Sequence, residues 1–374
     1  MVARLGEPAV PALGVCEMAS VLPHVRARTA AGATGATGAA RVGLAGAAAL
    51  AVVAACTTGH AVRSAARTHL QAGYESAVAR ELRSVVEIEA GQAIGSGVVL
   101  DRHGDIVTNA HVVGTAKKFV VRVSTTSQPL RARLIGMFTP DDLAVIRVAK
   151  DANDLRPVHW ANSAKARVGQ IVLAMGAPYG LIDSVTQGIV SATGRIVTRP
   201  TIPGQPPTVI ADAVQTSAAI NPGNSGGALV LLSGRVLGIP ALTAQDRELG
   251  GPAEGVGFAI PANTVVDISR QLIRFGKVTR SGRASLDITG ETHVSSSGKP
   301  DGVTVERARP GGAAAAASVR PGDVIAGIGG QPTADAADLE SALIGYRPGE
   351  RVRVELLRDG NPREVIAMLG TLRS

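Results

Sequence analysis

The stretch from Gln215 to Val230 reads QTSAAINPGNSGGALV and places a serine between glycines, directly before an apolar run. A glycine such as Gly223 can adopt the left-handed backbone of a tight turn, which would aim the amides of Gly223 and Ser225 at one point. Two convergent amides stabilise an oxyanion, and a serine beside them is a candidate nucleophile. The stretch therefore predicts a reactive serine in a turn that leads into a β-strand.

Upstream of this stretch, short apolar segments alternate with turn residues such as Gly and Asp. Within these segments apolar residues recur with a period of two, which indicates the strands of an all-β barrel rather than βαβ units. Two polar residues stand at the ends of such strands, His111 in TNAHVV and Asp142 in DDLAVIRV. A serine attacks an amide only if a base takes its proton, and a carboxylate orients that base. His111, Asp142 and Ser225 are therefore candidates for one catalytic site.

The segment GNSGG also fits the nucleophile motif of α/β-hydrolases. That fold requires a helix after the serine and the chain order serine, acid, histidine. Here residues 228–232 indicate a strand, and the only later histidine is His293, in a polar segment. The hydrolase fold is therefore excluded.

Six segments together resemble the HtrA/DegP family, which are bacterial serine proteases of the cell envelope. These segments are TNAHVV, DDLAVIRV, AMGAPYG, TQGIVSATGR, QTSAAINPGNSGGALV and GVGFAIP. The resemblance implies a mostly β fold with a trypsin-like double six-stranded β-barrel. It also implies that His111 is the general base, Asp142 its orienting carboxylate and Ser225 the nucleophile, with Gly223 and Ser225 forming the oxyanion hole. Asp141 is the neighbouring candidate for the acid, but the family places the acid directly before Leu-Ala-Val.

The resemblance further implies an S1 pocket, which holds the substrate side chain before the cleaved bond. In trypsin-like folds the residue six before the serine lies at the base of this pocket, here Ala219, and Ala218, Ile220 and Ile239 would line it. None of these residues carries a carboxylate to pair with Lys or Arg. Small or medium apolar side chains are therefore the expected substrates, and no metal or organic cofactor is expected.

Two residues in this region depart from the family pattern. Ser217 stands where an Asp usually follows Gln-Thr, so one loop anchor is missing. Pro240 stands where an Asn is usual, and its ring removes a backbone donor if this strand pairs with substrate. Reduced or more selective activity is therefore expected.

The C-terminal segments, of which RPGDVI is the most telling, resemble a PDZ domain, a small α+β module. Such domains bind a C-terminal carboxylate on backbone amides and pair the peptide as an added strand. The matching loop consists of Leu286, Asp287 and Ile288, with Asp287 in the place of the usual Gly. A negative charge near the carboxylate would weaken binding. Two interpretations therefore stay open, capture of C-terminal peptides and a PDZ domain that packs on or gates the protease.

The N-terminal segment contains a charge-free stretch, Val42–Ala55, preceded by arginines. It is shorter than the roughly 20 residues that span a bilayer and matches the apolar part of a secretory signal. It ends in Val-Ala-Ala-Cys, which resembles a lipoprotein box with Cys56 as the lipidated residue. An uncleaved membrane anchor, ordinary secretion and an unstructured tail remain alternatives. All but the last place the catalytic region in the cell envelope, on the outer face of the cytoplasmic membrane, or outside the cell.

These patterns divide the chain into five predicted parts. They are a signal, lipoprotein or anchor segment (1–56), a tether (57–83), a protease domain (84–261), a linker helix (262–280) and a PDZ domain (281–374).

Composition limits the classes of molecule that the protein is expected to bind. Half of the net charge of +8 lies in residues 1–83, and no basic run with interleaved aromatics follows, so nucleic acid is not expected. Both cysteines, Cys16 and Cys56, precede the catalytic region, which excludes disulfides and thiol chemistry from it. The expected substrates are unfolded or misfolded proteins. A homotrimer is an open alternative, although Tyr74 is the only aromatic residue before Phe119.

The second function considered is a catalytically latent quality-control or chaperone-like protein of the same fold. Such a protein would hold unfolded chains without cleaving them, and it predicts a missing triad member. All three triad positions carry the required residue types.

Overall fold

The structure is a computed structural model that describes residues 69–123, 128–149, 155–177, 184–199, 208–221, 223–246 and 251–374. Its architecture is mostly β, with two six-stranded trypsin-like barrels followed by a PDZ domain, which confirms the predicted fold class. The stretch 42–55 and Cys56 lie outside the described residues. Among the helices that are described, none has the length and apolar character needed to cross a membrane.

The first barrel closes in the strand order β1-β2-β3-β6-β5-β4. Its strands are β1 (Val85–Ala90), β2 (Ala93–Val99), β3 (Asp105–Asn109), β4 (Lys118–Val123), β5 (Leu130–Phe138) and β6 (Leu143–Val148). A helical segment at 69–81, here α1, precedes it. The short helix α2 (Ala110–Val113) follows β3 directly and carries His111.

The second barrel closes in the order β10-β11-β12-β9-β8-β7. Its strands are β7 (Ile171–Gly176), β8 (Ser184–Thr198), β9 (Val209–Thr216), β10 (Ala228–Leu231), β11 (Val236–Asp246) and β12 (Gly251–Pro261). Trp160 forms an isolated bridge with Val236 and packs against the core between the barrels.

Alternate residues of one strand serve two different cores. On β6, Ala144 and Ile146 point into the first barrel, whereas Leu143 and Val145 belong to a second core that both barrels share. Both faces of the strand are therefore buried. Its side chains alternate between the two faces, yet its sequence is one continuous apolar run.

The helix α3 (Ala262–Phe275) closes the shared core. Its apolar residues recur at spacings of three and four, and Val265, Ile268 and Leu272 are buried in that core. Gly276, with φ 69°, ends the helix in the left-handed conformation that favours glycine.

The PDZ domain contains a six-stranded sheet in which β14 forms one free edge. Its elements are β13 (Ala284–Ser285), β14 (Ile288–Val294), β15 (Pro300–Ala308), α4 (Ala313–Ala316), β16 (Val324–Ile328), β17 (Gln331–Pro332), α5 (Ala336–Ile344), β18 (Arg351–Arg358), β19 (Asn361–Met368) and β20 (Gly370–Thr371). Helix α5 lies against β14, β15 and β16, and also against β8 and β9 of the second barrel. The domain is therefore docked on the protease through α5.

Candidate active site

Two close polar contacts join His111 and Asp142. The Nδ1 atom of His111 lies 2.7 Å from Oδ2 of Asp142, and the backbone N–H of His111 donates to Oδ1 at 3.0 Å. Asp142 is only 1% exposed, so its carboxylate sits in a poorly solvated environment. A carboxylate held in this way can fix the tautomer and the orientation of the imidazole.

The backbone of Asp142 is itself held in place. Its φ of 52° lies in the left-handed region, at the end of the 3-10 turn Thr139–Asp141. Its carbonyl accepts hydrogen bonds from the amide of Ala110 and from Nδ2 of Asn109, both at 3.0 Å. The left-handed turn separates the directions of two neighbouring carboxylates, so that Asp142 faces His111 while Asp141 faces Arg283.

Ser225 lies in a turn that only glycine permits. Gly223 and Gly226 have φ values of 101° and 82°, in the region that residues with a Cβ atom rarely adopt. A Cβ atom on Gly226 would lie 2.2 Å from the carbonyl oxygen of Ser96, and one on Gly227 would lie 2.1 Å from that of Met175. Gly226 and Gly227 are therefore required by close backbone contacts, and Gly223 by its positive φ.

Ser96 on β2 anchors this turn, a role that no sequence motif indicates. Its amide donates to the carbonyl of Ser225 at 2.9 Å, and its hydroxyl donates to the carbonyl of Gly223. The amide of Ala177 donates to the same hydroxyl at 2.8 Å, and Thr108 Oγ1 donates to the Ser96 carbonyl at 2.6 Å. Ser96 is fully buried, so the first barrel positions the loop of the second barrel that carries Ser225. The available signal was a polar residue within an apolar strand.

His111 and Ser225 line the same cleft, which has a volume of about 770 Å³. Its wall is made by Ala93, Ile94, His111, Val112, Val197, Thr198, Arg199, Ile220, Asn221, Gly223, Ser225, Ala241, Leu242, Thr243, Ala244 and Phe258. Over the described residues, the Ser225 hydroxyl has no hydrogen bond with His111. The structure thus brings the three candidates to one cleft and links two of them directly.

The four candidate S1 residues lie in different surroundings. Ile220 lines the cleft, whereas Ala218 and Ile239 are buried in barrel cores. Ala219 is exposed, and its carbonyl accepts hydrogen bonds from Thr186 Oγ1 at 2.8 Å and Asn224 Nδ2 at 3.4 Å. Of the four, Ile220 alone reaches the cleft wall.

Asp287 in the PDZ loop adopts a left-handed backbone, with φ 57°. Its side chain is only 10% exposed, and its carboxylate accepts hydrogen bonds from Arg309 Nη1 and from the amide of Ala313, both at 3.4 Å. Leu286 is buried in the domain core, and Ile288 begins β14. The charge of Asp287 is therefore partly neutralised within the domain.

Two arginines lie near the His111–Asp142 pair, each in contact with a neighbouring aspartate. Arg199, directly after β8, lies within hydrogen-bond distance of both His111 and Asp142. Arg283 donates to Asp141 at 2.6 Å and to Glu340 on α5 at 3.3 Å. Burial raises the pKa of Asp141 and of Glu340, although the charge of Arg283 opposes both shifts. No group of three or more His, Cys, Asp or Glu side chains that could hold a metal is found in the described parts of the chain.

An Asp–His pair with a buried carboxylate, a serine in a glycine turn and a cleft between two six-stranded barrels are the features of trypsin-like serine proteases, and a PDZ domain follows here. The family models agree, since a trypsin-like peptidase domain matches residues 95–239 and a PDZ domain matches residues 273–369. The chain belongs to the HtrA/DegP-like family of trypsin-like serine proteases with a C-terminal PDZ domain.

Curated relatives support this placement. A "probable periplasmic serine endoprotease DegP-like" of Pseudomonas putida is 37% identical over 284 residues, which cover 75% of this chain and 57% of that protein. The "periplasmic pH-dependent serine endoprotease DegQ" of Escherichia coli is 35% identical over 290 residues, which cover 76% and 60%. The chain thus spans less than two thirds of the length of these relatives.

Solved structures show the same fold. A serine endoprotease from Yersinia pestis is 33% identical with a TM-score of 0.53, and the match covers 80% of this chain and 98% of that one. The HtrA-type protease AlgW with a decapeptide is 28% identical at the same TM-score, and the match covers the same shares.

Proposed function

We propose that the chain is a serine endopeptidase that cleaves unfolded or damaged proteins of the cell envelope through an acyl-enzyme. The observation that carries this proposal is the His111–Asp142 pair in one cleft with Ser225, which lies on a turn that only glycine permits. Two curated relatives at 35–37% identity are named periplasmic serine endoproteases.

The proposed mechanism starts with proton transfer from the Ser225 hydroxyl to Nε2 of His111. The serine oxygen attacks the substrate carbonyl, and the resulting oxyanion is stabilised by the amides of Gly223 and Ser225. His111 then protonates the leaving amine, and water releases the acyl group by the reverse sequence. Asp142 stabilises the imidazolium in both steps and holds Nδ1 as the donor.

Ser225 labelling by a fluorophosphonate tests this function directly. We expect labelling of the full chain together with cleavage of casein, and the loss of both in Ser225→Ala. A Ser297→Ala variant is the matched control, because Ser297 lies in the PDZ domain and bonds only to Ser295 among the described residues. Labelling that persists in Ser225→Ala would refute the assignment of the nucleophile.

Substrate selection is proposed to favour small or medium apolar side chains at P1. Ile220, Leu242 and Phe258 line the cleft, and none of its described lining residues carries a carboxylate. Peptides that differ only at P1 test this, with Val expected to be cleaved faster than Arg. Efficient cleavage after Arg, with Val left intact, would refute it.

The PDZ domain is proposed to bind C-terminal peptides along the free edge of β14, facing α5. The inward bonding of Asp287 supports this, because Arg309 and the Ala313 amide already engage its charge. A fluorescent peptide with an apolar C-terminus tests it against its amidated form. Equal affinity of the two forms would exclude carboxylate capture.

The N-terminal segment is proposed to place the protease on the outer face of the cytoplasmic membrane, through lipidation of Cys56. A Cys56→Ala variant should then lose its processing and its lipid. A variant that is processed and membrane-bound like the wild type would exclude the lipoprotein form.

A further inference from the structure

Arg199 reaches into the catalytic cleft from the end of β8. Its Nη2 atom lies 2.8 Å from Nδ1 of His111 and 3.3 Å from Oδ2 of Asp142. The same atom lies 3.5 Å from the carbonyl oxygen of Ala241, across the cleft wall. The guanidinium therefore contacts both atoms of the His111–Asp142 contact, Nδ1 and Oδ2.

The hydrogen bonds at Nδ1 of His111 compete with one another. A guanidinium is only a donor, so Arg199 can bond Nδ1 only where that nitrogen carries a lone pair. An ionised carboxylate is only an acceptor, so Asp142 can bond Nδ1 only where that nitrogen carries a proton. One nitrogen cannot satisfy both partners at once, and two alternative states follow.

In the first state Arg199 bridges Nδ1 and the Asp142 carboxylate, and the imidazole proton resides on Nε2. That nitrogen is then unable to accept the proton of the Ser225 hydroxyl. In the second state Arg199 has left, Nδ1 donates to Asp142, and Nε2 is free to act as the base. The first state is latent and the second is competent.

We propose that Arg199 is a reversible block that holds the triad in the wrong imidazole tautomer until substrate displaces it. This inference rests on the proposed function, because it describes the regulation of the same site. Arg199 is a positioning residue that acts through His111.

The surroundings of Arg199 allow it to leave. Its side chain is 22% exposed, against 2% for Asp142, so water reaches the guanidinium and screens its ion pair. Arg199 also lines the cleft with Ala241 and Leu242, so a bound polypeptide must take the space that the guanidinium holds. Substrate binding and release of the block are therefore linked by volume exclusion.

The experiment compares Arg199→Ala with Arg131→Ala in the full chain. Arg131 is an exposed residue of β5, and its loss changes the net charge equally. We expect Arg199→Ala to raise the rate of fluorophosphonate labelling at Ser225 by about tenfold or more, since a wrong tautomer costs a serine protease roughly 10⁴-fold. Arg131→Ala should label like the wild type. Arg199→Gln, which keeps the side-chain length, serves as the second variant and should behave like Arg199→Ala.

The tautomer itself is read from the imidazole nitrogen chemical shifts of His111, assigned with a His111→Ala variant. The wild type should show the proton on Nε2, and Arg199→Ala should show it on Nδ1. Equal labelling rates, or the Nδ1 tautomer already in the wild type, would overturn the inference and leave the proposed function intact. Absence of Ser225 labelling in the wild type and in both Arg199 variants would overturn the proposed function and the inference with it.

Discussion

Two neighbouring aspartates face different partners, so one peptide unit separates the proposed catalytic carboxylate from a structural one. Asp142 is buried and faces His111, and Arg199, whose side chain is 22% exposed, lies beside it. Asp141 faces Arg283, whose side chain is only 10% exposed and which also bonds Glu340 of the PDZ domain. Both sites pair a carboxylate with a guanidinium, but they differ in their access to water.

That difference in access determines what each pair can do. A guanidinium that water reaches is screened and exchanges readily, which suits a contact that must break for turnover. A buried pair that loses one partner leaves an uncompensated charge, which suits a contact that must persist. The Asp142–Arg199 contact is therefore suited to breaking during turnover, and the Asp141–Arg283 contact to persisting.

The largest expected effect comes from Asp142→Asn. The amide keeps the volume but cannot hold the imidazole in the productive tautomer, so kcat should fall by about 10⁴-fold with little change in stability. Casein cleavage and thermal unfolding measure the two quantities. A stable variant that keeps more than a tenth of the wild-type activity would contradict the role of Asp142 and remove the distinction between the two aspartates.

The next effect comes from Arg283→Ala. Removal of this guanidinium leaves Asp141 buried without its partner and also removes donors to the carbonyls of Pro140 and Val209. We expect the free energy of unfolding to fall by about 3–5 kcal/mol. Denaturant titration measures it, with Arg353→Ala as the control on an exposed PDZ pair, where less than about 1 kcal/mol is expected. Similar losses in the two variants would show that burial does not set the Asp141 site apart.

The smallest effect comes from Glu340→Gln. Asp141 and Glu340 share Arg283, and burial raises the pKa of Glu340. A carboxyl group whose folded pKa lies above its unfolded value favours folding most at low pH, so its contribution decreases as pH rises through the folded pKa. The glutamine should remove this decrease and stabilise the chain at pH 8 by about 0.5–1 kcal/mol. Unfolding free energies from pH 4 to pH 8 test the sign, and a steeper loss of stability in Glu340→Gln would reverse it.

Much of the fold followed from local patterns. Short apolar segments bounded by turn residues predicted the barrels, because a strand such as β6 that serves two cores is apolar on both faces yet stays short. The glycine turn predicted where Ser225 lies because left-handed backbone is a local property of the chain. The choice of Asp142 over Asp141 came from a family motif, and the structure supplies its physical reason in the left-handed φ of Asp142.

Contacts between distant segments did not follow from the sequence. Arg199 lies 88 positions from His111, and no local pattern relates the two residues. The sequence does not indicate the role of Ser96, because its partners, Gly223 and Ser225, belong to the other barrel. Sequence distance from Ser225 indicates where the S1 pocket lies, but it does not tell which of the candidate side chains points into a core.

The bridge between Trp160 and Val236 has a spectroscopic consequence. Trp160 is the one tryptophan of the chain, so indole emission reports on the packing between the barrels. The PDZ domain has no indole, and a melt followed by tryptophan fluorescence registers it only through its docking on the protease. Circular dichroism sees both parts. The gap between the two melting curves is therefore a direct readout of how tightly the PDZ domain is coupled to the protease.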